Sequence, residues 1–289
     1  MFLPRRVLKE RLMRMLAEDL GQGDVTTSLV VPAEAVAEAS VICRENGVAA
    51  GVEEARVLLE GLGLNVEQAV NDGEHVKPKQ VLLRVAGDAQ TIISAERTVL
   101  NILTRMSGIA TTARRLKEKL EKAGLKTIVA CTRKTAPGLL YFDKKAAALG
   151  GADTHRLHLD DMILIKDSHI VVAGSVEKAV ANARRGTFSK KIEVEVATVA
   201  DAVNAAKAGA DIVMLDNFSP EQIRESVKML KKKGLREKIL LEVSGGVTAD
   251  NILDLASRDV DIISVGAITH SPKSLDISLE IVKARGKAK

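Results

Sequence analysis

The chain has 289 residues, of which 46% are apolar and 28% charged, the balance of a folded globular protein with a sizeable core. Aromatic residues make up only 2%, with one Tyr and no Trp, which excludes nucleic-acid modules that stack bases on aromatic side chains. The net charge of +5, from 43 basic and 38 acidic residues, indicates either a mixed solvated surface or a local excess of cations around an anionic ligand.

The N-terminal residues 1–20 form an amphipathic, basic stretch whose acidic residues favour a surface helix over a targeting peptide. No apolar run in the sequence approaches the ~20 residues that a membrane-spanning helix needs. The two cysteines, Cys43 and Cys131, have neither a metal-binding nor a redox spacing, which favours a reducing compartment. We therefore expect a cytoplasmic protein with no membrane and no nucleic-acid partner.

Residues 1–107 are typical of a small α+β domain. The candidate strands EASVIC, LNVEQAV and QVLLRVAG are separated by the helical stretch VEEARVLLEGLG and the turn-rich NDGEHVKP. A long helical pattern over residues 94–124 is predicted to bridge to a second domain. The tail, LDISLEIV, alternates with period two and predicts a last strand that returns to the sheet of the first domain.

From Thr127 onward, apolar β-branched runs alternate with helical patterns. The predicted strands are TIVAC, MILIK, IEVEV, DIVML, ILLEV and DIISV. Helices between them have start signals at Ser175, Thr198, Ser219 and Thr248. Such strands predict a parallel sheet that helices cover on both faces, either an α/β barrel or a doubly wound sheet. Six strands are fewer than the eight of a full barrel.

Polar groups follow or end each of these strands, where ligands bind in parallel α/β folds. They are Arg133 and Lys134, Lys166 and Asp167, Glu195, Asp216 and Asn217, Ser244-Gly245-Gly246, and Gly266-Ala267. The glycine-containing stretches SGG (244–246) and VGA (265–267) are typical of a phosphate cradle, because glycine lets backbone N–H groups approach the oxygens. Their alternative interpretation is a pair of tight turns.

Several charged side chains have a functional and an ordinary interpretation. Lys166 in its apolar run is costly unless it is paired or functional, and Glu195 is either functional or at an exposed edge. His155 and His158 are metal-ligating residue types, but the sequence places no third ligand. Arg97 follows Ser94 in the expected first turn of a helix, where a cation opposes the helix dipole; it is either functional or simply solvated.

Together these residues predict a ligand with several negative charges. The expected site combines five cationic or cationisable side chains with two carboxylates, which suit sugar hydroxyls or Mg²⁺. A phosphorylated sugar together with a carboxylate substrate fits this set. Its members are Arg133, Lys134, His155, Arg156, Lys166, Glu195 and Asp216.

The ordered motifs of the chain resemble those of the quinolinate phosphoribosyltransferase family over nearly its whole length. Any one motif is weak, whereas the ordered set is specific. The motifs are EDLGQGDVTT (18–27), AERTVLNILTRMSGIAT (95–111), TRKTAPG (132–138), HR (155–156), LIKDSHI (164–170), EVEV (193–196), MLDN (214–217), SGGV (244–247) and VGAITHS (265–271).

The resemblance implies an α/β fold in which an incomplete, open α/β barrel spans residues 108–269. The N-terminal α+β domain of residues 1–107 is completed by the C-terminal segment 270–289. It also implies a homodimer, or a higher oligomer, in which the first domain of one subunit helps to close the barrel mouth of the other. The implied reaction transfers phosphoribosyl from phosphoribosyl pyrophosphate to quinolinate with Mg²⁺, giving nicotinate mononucleotide, pyrophosphate and CO₂ in NAD biosynthesis.

The resemblance also implies roles for individual residues. The quinolinate pocket matches Arg97, Arg133, His155, Arg156 and Lys166, and the residue matching Arg97 reaches in from the partner subunit. The expected catalytic residues, on the phosphoribosyl and pyrophosphate side, are Lys134, Glu195 and Asp216, and the last two are candidate Mg²⁺ contacts, partly through water or substrate. Further expected substrate-binding residues are Thr132, Thr135, Ser244, Gly245, Gly246, Val265, Gly266 and Ala267.

Three positions depart from the family pattern, and three other functions stay open. Cys131 stands in place of an acidic residue, Ser168 in place of Asn, and Leu140 in place of a frequent Arg. One alternative is a paralogous phosphoribosyltransferase of molybdenum-transport operons. Another is a Schiff-base aldolase with Lys166 as its nucleophile. The third is a sensor that binds phosphoribosyl pyrophosphate without turnover.

Overall fold

The computed structural model describes residues 3–285 and divides into two compact units. The first unit comprises three segments, residues 3–112, Tyr141–Gly150 and residues 272–285. The second unit comprises Ala113–Leu140 and Gly151–Ser271. The chain therefore enters the first unit three times.

The N-terminal part of the chain alternates helices with short strands. In chain order its elements are α1 (Arg5–Leu20), α2 (Val25–Val30), β1 (Val36–Cys43), β2 (Gly47–Val48), α3 (Val52–Gly61), β3 (Asn65–Gln68), β4 (His75–Val76), β5 (Val81–Asp88) and the long α4 (Ala89–Lys122). The three predicted strands and the helix that separates the first two are confirmed as β1, β3, β5 and α3. The sequence reading missed α2, which Asp24 caps by accepting the backbone N–H of Thr27.

The middle of the chain alternates strands and helices, as predicted. Its elements are β6 (Ile128–Ala130), α5 (Leu140–Leu149), β7 (Ile163–Ile165), α6 (Asp167–Ala173), α7 (Val176–Gly186), β8 (Ile192–Val196), α8 (Val199–Ala208), β9 (Ile212–Asp216), α9 (Pro220–Lys232), a 3₁₀ turn (Arg236–Lys238), β10 (Leu240–Ser244), α10 (Ile252–Leu255), β11 (Ile262–Ser264) and α11 (Ala267–His270). A last strand, β12 (Ile277–Arg285), ends the described chain.

The sheet of the second unit is an open barrel wall. Its six parallel strands have the order β6-β11-β10-β9-β8-β7. Each strand from β7 to β11 pairs with its neighbour in sequence, and the order reverses nowhere between them, which distinguishes a barrel from a doubly wound sheet. The edge strands β6 and β7 do not pair with each other within residues 3–285, so the barrel is incomplete.

The first unit has a four-stranded antiparallel sheet in the order β12-β1-β5-β3. The predicted return of the C-terminal tail is thus confirmed, with Val36 of β1 opposite Arg285 of β12. Leu8, Leu12 and Leu16 on α1 are buried in the core of this unit. No helix in the described part of the chain combines the length and the hydropathy needed to cross a membrane.

Two of the predicted helix starts are wrong. The helix that contains Arg97 begins at Ala89 rather than at Ser94, and Asp88 accepts the backbone N–H of Thr91 at 2.7 Å. The apolar pattern runs on upstream of Ser94, so Arg97 lies in the helix interior and the argument from the helix dipole fails. Ser175, Thr198 and Ser219 cap their helices as predicted.

Thr248 is the second exception. Its hydroxyl accepts the backbone N–H of Asn251 at 3.3 Å, while the Asn251 side chain accepts the N–H of Thr248 at 2.8 Å. These side chains satisfy the backbone in a turn and delay the helix, because short polar side chains compete with helical hydrogen bonds. Only Ile252–Leu255 is helical.

A charged cluster, in which Glu53 is exposed and Glu54 is buried, lies in the first unit around Lys145 of α5. Its Nζ is 2.7 Å from Glu54 Oε1, 2.5 Å from Glu53 Oε2 and 3.7 Å from Asp72 Oδ2. Burial raises the pKa of Glu54 above its usual range. Burial opposes the charge of Lys145, yet the surrounding carboxylates raise its pKa as well. The three carboxylates have the grouping of a cation site, and Lys145 supplies the cation.

Candidate functional site

A cavity of about 440 Å³ opens at the carboxyl ends of the strands in the second unit. Every strand of the sheet, or the loop that follows it, contributes to its lining, as expected for a parallel α/β fold. The lining residues are Thr132, Arg133, Lys134, His155, Arg156, Leu164, Lys166, Glu195, Met214, Asp216, Asn217, Glu242, Ser244, Gly245, Gly246 and Ser264. The structure thus brings eleven of the sixteen predicted site residues together.

Five predicted site residues are not among the lining residues. Arg97 belongs to the first unit, where it is exposed on α4. Thr135 lies just beyond the cationic turn and donates its backbone N–H to the carbonyl of Arg133 at 2.9 Å. The other three, at the end of β11, are Val265, Gly266 and Ala267.

The loop after β6 presents cations to the cavity. Its turn is held by the backbone N–H of Lys134, which donates to Thr132 Oγ1 at 3.2 Å. Burial, and after it the positive charge of Arg133, lower the pKa of Arg156. The positive charge of Arg133 beside Arg156 favours the binding of an anionic ligand at this place. Arginine forks match the two oxygens of a carboxylate.

His155 is held by two acidic residues on the strands β8 and β10. Its Nε2 lies 3.2 Å from Oε2 of Glu242 and 3.2 Å from Oε2 of Glu193. The contact with Glu242 has hydrogen-bond geometry. Burial disfavours the imidazolium, but the two carboxylates overcome it and raise the pKa of His155 to about 10. The two carboxylates therefore favour the charged form of the His155 ring.

Glu193 and Glu242 are functional candidates that the sequence reading missed. Both are fully buried, Glu193 in β8 and Glu242 in β10. The Oε1 of Glu242 accepts a hydrogen bond from Ser264 Oγ at 2.5 Å. The signal was present in the sequence, because IEVEV and ILLEV are apolar strands that each contain buried acid, which is costly without a partner. His155, Glu193 and Glu242 together have the grouping of a cation site, and the charged ring of His155 occupies that role.

Lys166, Glu195 and Asp216 form a second charged group in the cavity. Lys166 Nζ donates to Glu195 Oε2 at 2.7 Å. The Lys166 side chain is 43% exposed, so the expected cost of burying it in an apolar run does not arise, and the pair is a feature of the cavity. Burial, and after it the negative charge of Glu195, raise the pKa of Asp216. Two neighbouring carboxylates that line one cavity are a fitting donor set for a divalent cation with oxygen ligands such as Mg²⁺.

The loop after β10 has the backbone of a cradle. Gly245 and Gly246 both have positive φ, +92° and +60°. A Cβ atom on Gly245 would lie 2.8 Å from the backbone nitrogen of Asn217 and would collide with the Asn217 side chain. Asn217 in turn donates to Asp216 Oδ2 at 2.7 Å. Glycine at 245 therefore allows the loop to approach the carboxylate pair closely.

Of the three positions that depart from the family pattern, Cys131 and Ser168 lie close in sequence to residues that line the cavity, Thr132 and Lys166. Cys131 is buried, and its Sγ lies 3.8 Å from the carbonyl oxygen of Thr154. Ser168 lies in the first turn of α6 and donates its backbone N–H to Asp167 Oδ1 at 2.7 Å. Leu140 is the first residue of α5. None of the three is a lining residue of the cavity.

Comparison with known families gives matches to two domain models. Residues 109–280 match the C-terminal domain of quinolinate phosphoribosyl transferase, and residues 24–107 match its N-terminal domain. A relative from Archaeoglobus fulgidus, described as a probable carboxylating nicotinate-nucleotide pyrophosphorylase, is 46% identical over 90% of this chain and 99% of its own length. The human carboxylating nicotinate-nucleotide pyrophosphorylase is 38% identical over 84% of this chain and 82% of its own length.

Solved structures agree in fold. The nicotinate-nucleotide pyrophosphorylase of Francisella tularensis superposes with a TM-score of 0.88, at 35% identity, over 97% of this chain and 98% of that chain. A NadC structure from Streptococcus pyogenes gives a TM-score of 0.89 at 33% identity, over 99% of both chains.

Proposed function

The chain belongs to the quinolinate phosphoribosyltransferase family, and we propose that the cavity of its second unit is where the family reaction takes place. The protein is a pentosyltransferase that transfers phosphoribosyl from phosphoribosyl pyrophosphate to quinolinate. Decarboxylation follows, and the products are nicotinate mononucleotide, pyrophosphate and CO₂. The observation that carries the placement is the concentration of Arg133, Lys134, Arg156 and Lys166 around one cavity with charged His155.

Quinolinate, a dicarboxylate, binds on the side of Arg133, His155, Arg156 and Lys166. The guanidinium groups hold its carboxylates, and their mutual repulsion favours a bound anion over an empty pocket. Fixing the ring there aims its nitrogen at the sugar. Positioning of two reactants is worth a large part of the barrier in such a transfer.

Phosphoribosyl pyrophosphate binds on the other side of the cavity. Its 5′-phosphate lies at the cradle of residues 244–246, and Lys134 neutralises the pyrophosphate. Glu195 and Asp216 would hold Mg²⁺, partly through water or substrate. When bound, the ion neutralises the pyrophosphate as a leaving group.

The reaction proceeds by charge that develops and is neutralised. The C1–O bond of the ribose breaks, its electron pair leaves with pyrophosphate, and C1 becomes positive. Glu195 stabilises that charge electrostatically, as carboxylates do in glycoside chemistry. The pyridine nitrogen then bonds to C1 and becomes cationic. Loss of CO₂ from the adjacent carbon leaves a carbanion which the neighbouring N⁺ stabilises and which takes up a proton.

The active site is shared between the subunits of a homodimer. Arg97 is exposed on α4 and makes no hydrogen bond or ion pair within residues 3–285, so its charge is available to a partner. Ser94, one turn earlier, donates to Asp24 at the start of α2. α2 exposes Leu29 and Val30, an apolar patch of the kind that other subunits cover.

A reducing cytoplasm suits the two buried cysteines, which are not joined by a disulfide.

The first test is the complete reaction. Purified protein is mixed with quinolinate, phosphoribosyl pyrophosphate and Mg²⁺, and nicotinate mononucleotide and CO₂ are followed together. Equal amounts of both products support the proposal. Transfer to another pyridine or pyrimidine acid, but not to quinolinate, would show that quinolinate is not the acceptor. No product with any acceptor would refute the proposed reaction.

The second test addresses the shared site. Arg97→Ala and Glu195→Gln homodimers are each expected to be nearly inactive. When equal amounts of the two variants are mixed and their subunits exchange, half of the dimers become heterodimers. Each heterodimer has one intact site of two, so about one quarter of the wild-type activity returns. If activity does not recover although differently tagged subunits prove the exchange, Arg97 does not act in the active site of the partner subunit.

A further inference from the structure

Glu242 fixes one end of the His155 ring. The carboxylate is fully buried, its Oε2 is 3.2 Å from His155 Nε2, and its Oε1 accepts from Ser264 Oγ at 2.5 Å. Both oxygens are thus engaged, and the orientation of the carboxylate is set by its neighbours. The family reaction as described above assigns no role to this residue.

Glu193 approaches the same ring nitrogen from the next-but-one strand of the sheet. Its Oε2 is 3.2 Å from His155 Nε2, and it is fully buried. Neither of its oxygens makes a hydrogen bond within the described residues. Two buried carboxylates that meet at one nitrogen repel each other unless a cation lies between them. The His155 ring is the cation that the structure places there.

A charged ring leaves its second nitrogen as a donor. In an imidazolium both nitrogens carry hydrogen, and Nε2 faces the carboxylates. The Nδ1 atom makes no hydrogen bond to any described part of the chain, while the residue lines the cavity. The backbone is fixed too, because the N–H of His155 donates to Asp153 Oδ1 at 2.6 Å.

The other charged residues that line the cavity make no ion pair with the His155 ring within the described residues. They are Arg133, Lys134, Arg156, Lys166, Glu195 and Asp216. Glu195 is paired with Lys166 at 2.7 Å. Glu193 and Glu242 are the carboxylates recorded within 4.0 Å of the His155 ring in the described structure.

We infer that Glu242, together with Glu193, is a positioning residue that keeps His155 doubly protonated, so that Nδ1–H donates to a carboxylate of quinolinate. The inference rests on the proposed function for the identity of the ligand, and on the geometry for the state of the ring. An ordinary histidine, which titrates near pH 6.5, would lose half of this interaction close to neutrality. The raised pKa of His155, about 10, agrees with the geometry.

The state of the ring is tested without catalysis. The full-length protein is labelled with ¹⁵N and ¹³C histidine, and the His155 signals are identified among the five histidines by their loss in His155→Gln. They are expected to keep imidazolium shifts from pH 6 to 9. A titration with a midpoint near pH 6.5 would overturn the inference.

The role of Glu242 is tested by Glu242→Gln, which keeps the shape and removes the charge. In the wild type, KM for quinolinate stays flat from pH 6.5 to 9. In the variant it rises with pH, by up to about tenfold per pH unit once the ring deprotonates, while KM for phosphoribosyl pyrophosphate keeps its wild-type pH profile. Glu54→Gln is the matched control, because Glu54 is as fully buried as Glu242 but belongs to the first unit and does not line the cavity; this variant is expected to keep the flat profile.

A folded Glu242→Gln variant with a flat KM and unchanged His155 signals would overturn the inference. If that variant does not fold, Glu242→Asp retains the charge and is expected to retain the imidazolium signals, and their loss would count against the inference. Imidazolium signals in a protein that does not turn over quinolinate would overturn the proposed ligand, while they would still support the state of the ring.

Discussion

Replacing Gly245 by Ala tests whether the loop after β10 serves the carboxylate pair. The residue has φ of +92°, where an L side chain costs about 1–2 kcal/mol. The added Cβ would also lie 2.8 Å from the backbone nitrogen of Asn217, whereas ordinary contacts begin at 3.4 Å. Asn217 must therefore retreat by about 0.6 Å, the difference of these two distances, and Asp216 moves with it.

The expected effect is on phosphoribosyl pyrophosphate rather than on folding alone. A misplacement of 1 Å in a catalytic site can cost about 10²-fold, so a shift of about 0.6 Å predicts a fall in kcat/KM for phosphoribosyl pyrophosphate of about tenfold. Gly209→Ala is the matched control, because Gly209 has nearly the same φ, +93°, and no atom within 4 Å of the added Cβ.

Both variants are expected to lose a similar backbone contribution to stability, which calorimetry measures as a fall in Tm of about 2–4 °C per kcal/mol. Steady-state kinetics then separates them. If Gly245→Ala keeps the kcat/KM of Gly209→Ala for phosphoribosyl pyrophosphate, the close approach to Asn217 has no catalytic role, and the reasoning from the cradle is refuted.

Three further perturbations have defined outcomes. Glu195→Gln is expected to lower kcat by about 10²–10³-fold, measured with both substrates saturating, and full retention of kcat would remove its electrostatic role. Lys145→Met leaves the buried Glu54 without its cation and is expected to lower the free energy of unfolding in urea by about 3–5 kcal/mol. The control Arg224→Ala, which removes an exposed ion pair, is expected to lower it by at most about 1 kcal/mol. Equal losses of stability in the two variants would contradict a stabilising role for the buried pair. Hydrogen bonds from Thr27 lower the pKa of Asp24, so the charge of Asp24 stabilises the fold above pH 3.8 and this stabilisation is lost as pH falls through the lowered pKa. The wild type should therefore have a higher Tm than Asp24→Asn at pH 7 and pH 5, and the difference should vanish in stronger acid. A difference in Tm that does not depend on pH would be inconsistent with a charged cap.

The strands were predictable because their signal is local. Runs such as DIVML and IEVEV combine β-branched residues with lengths that suit strands, and the six runs became β6 to β11. Their carboxyl ends then had to meet, which is why Arg133, Glu195 and Asp216 could be grouped before the fold was known. Short motifs in a fixed order supplied the chemistry.

What the sequence did not reveal depends on long-range pairing. Glu242 is 87 residues from His155, and a single acid in an apolar run does not disclose its partner. Capping failed for a related reason. Ser94 is a good cap by type, but Asp88 precedes it and captures the start of the same helix. A local rule cannot choose between two adequate caps when the helix packs along both.

The pairing of β12 with β1 has a consequence for how the protein is made. A ribosome releases β1 well before β12, and at about 5–20 residues per second the interval between them is on the order of 10–50 s. Throughout that time β1 has an unpaired edge, which is a site for sticking to other chains. The nascent first unit also waits for α5 to emerge. The newborn chain thus has an obligatory lag between the release of β1 and the completion of its first sheet, and nonsense mutations upstream of β12 should yield aggregates rather than shortened, working enzyme.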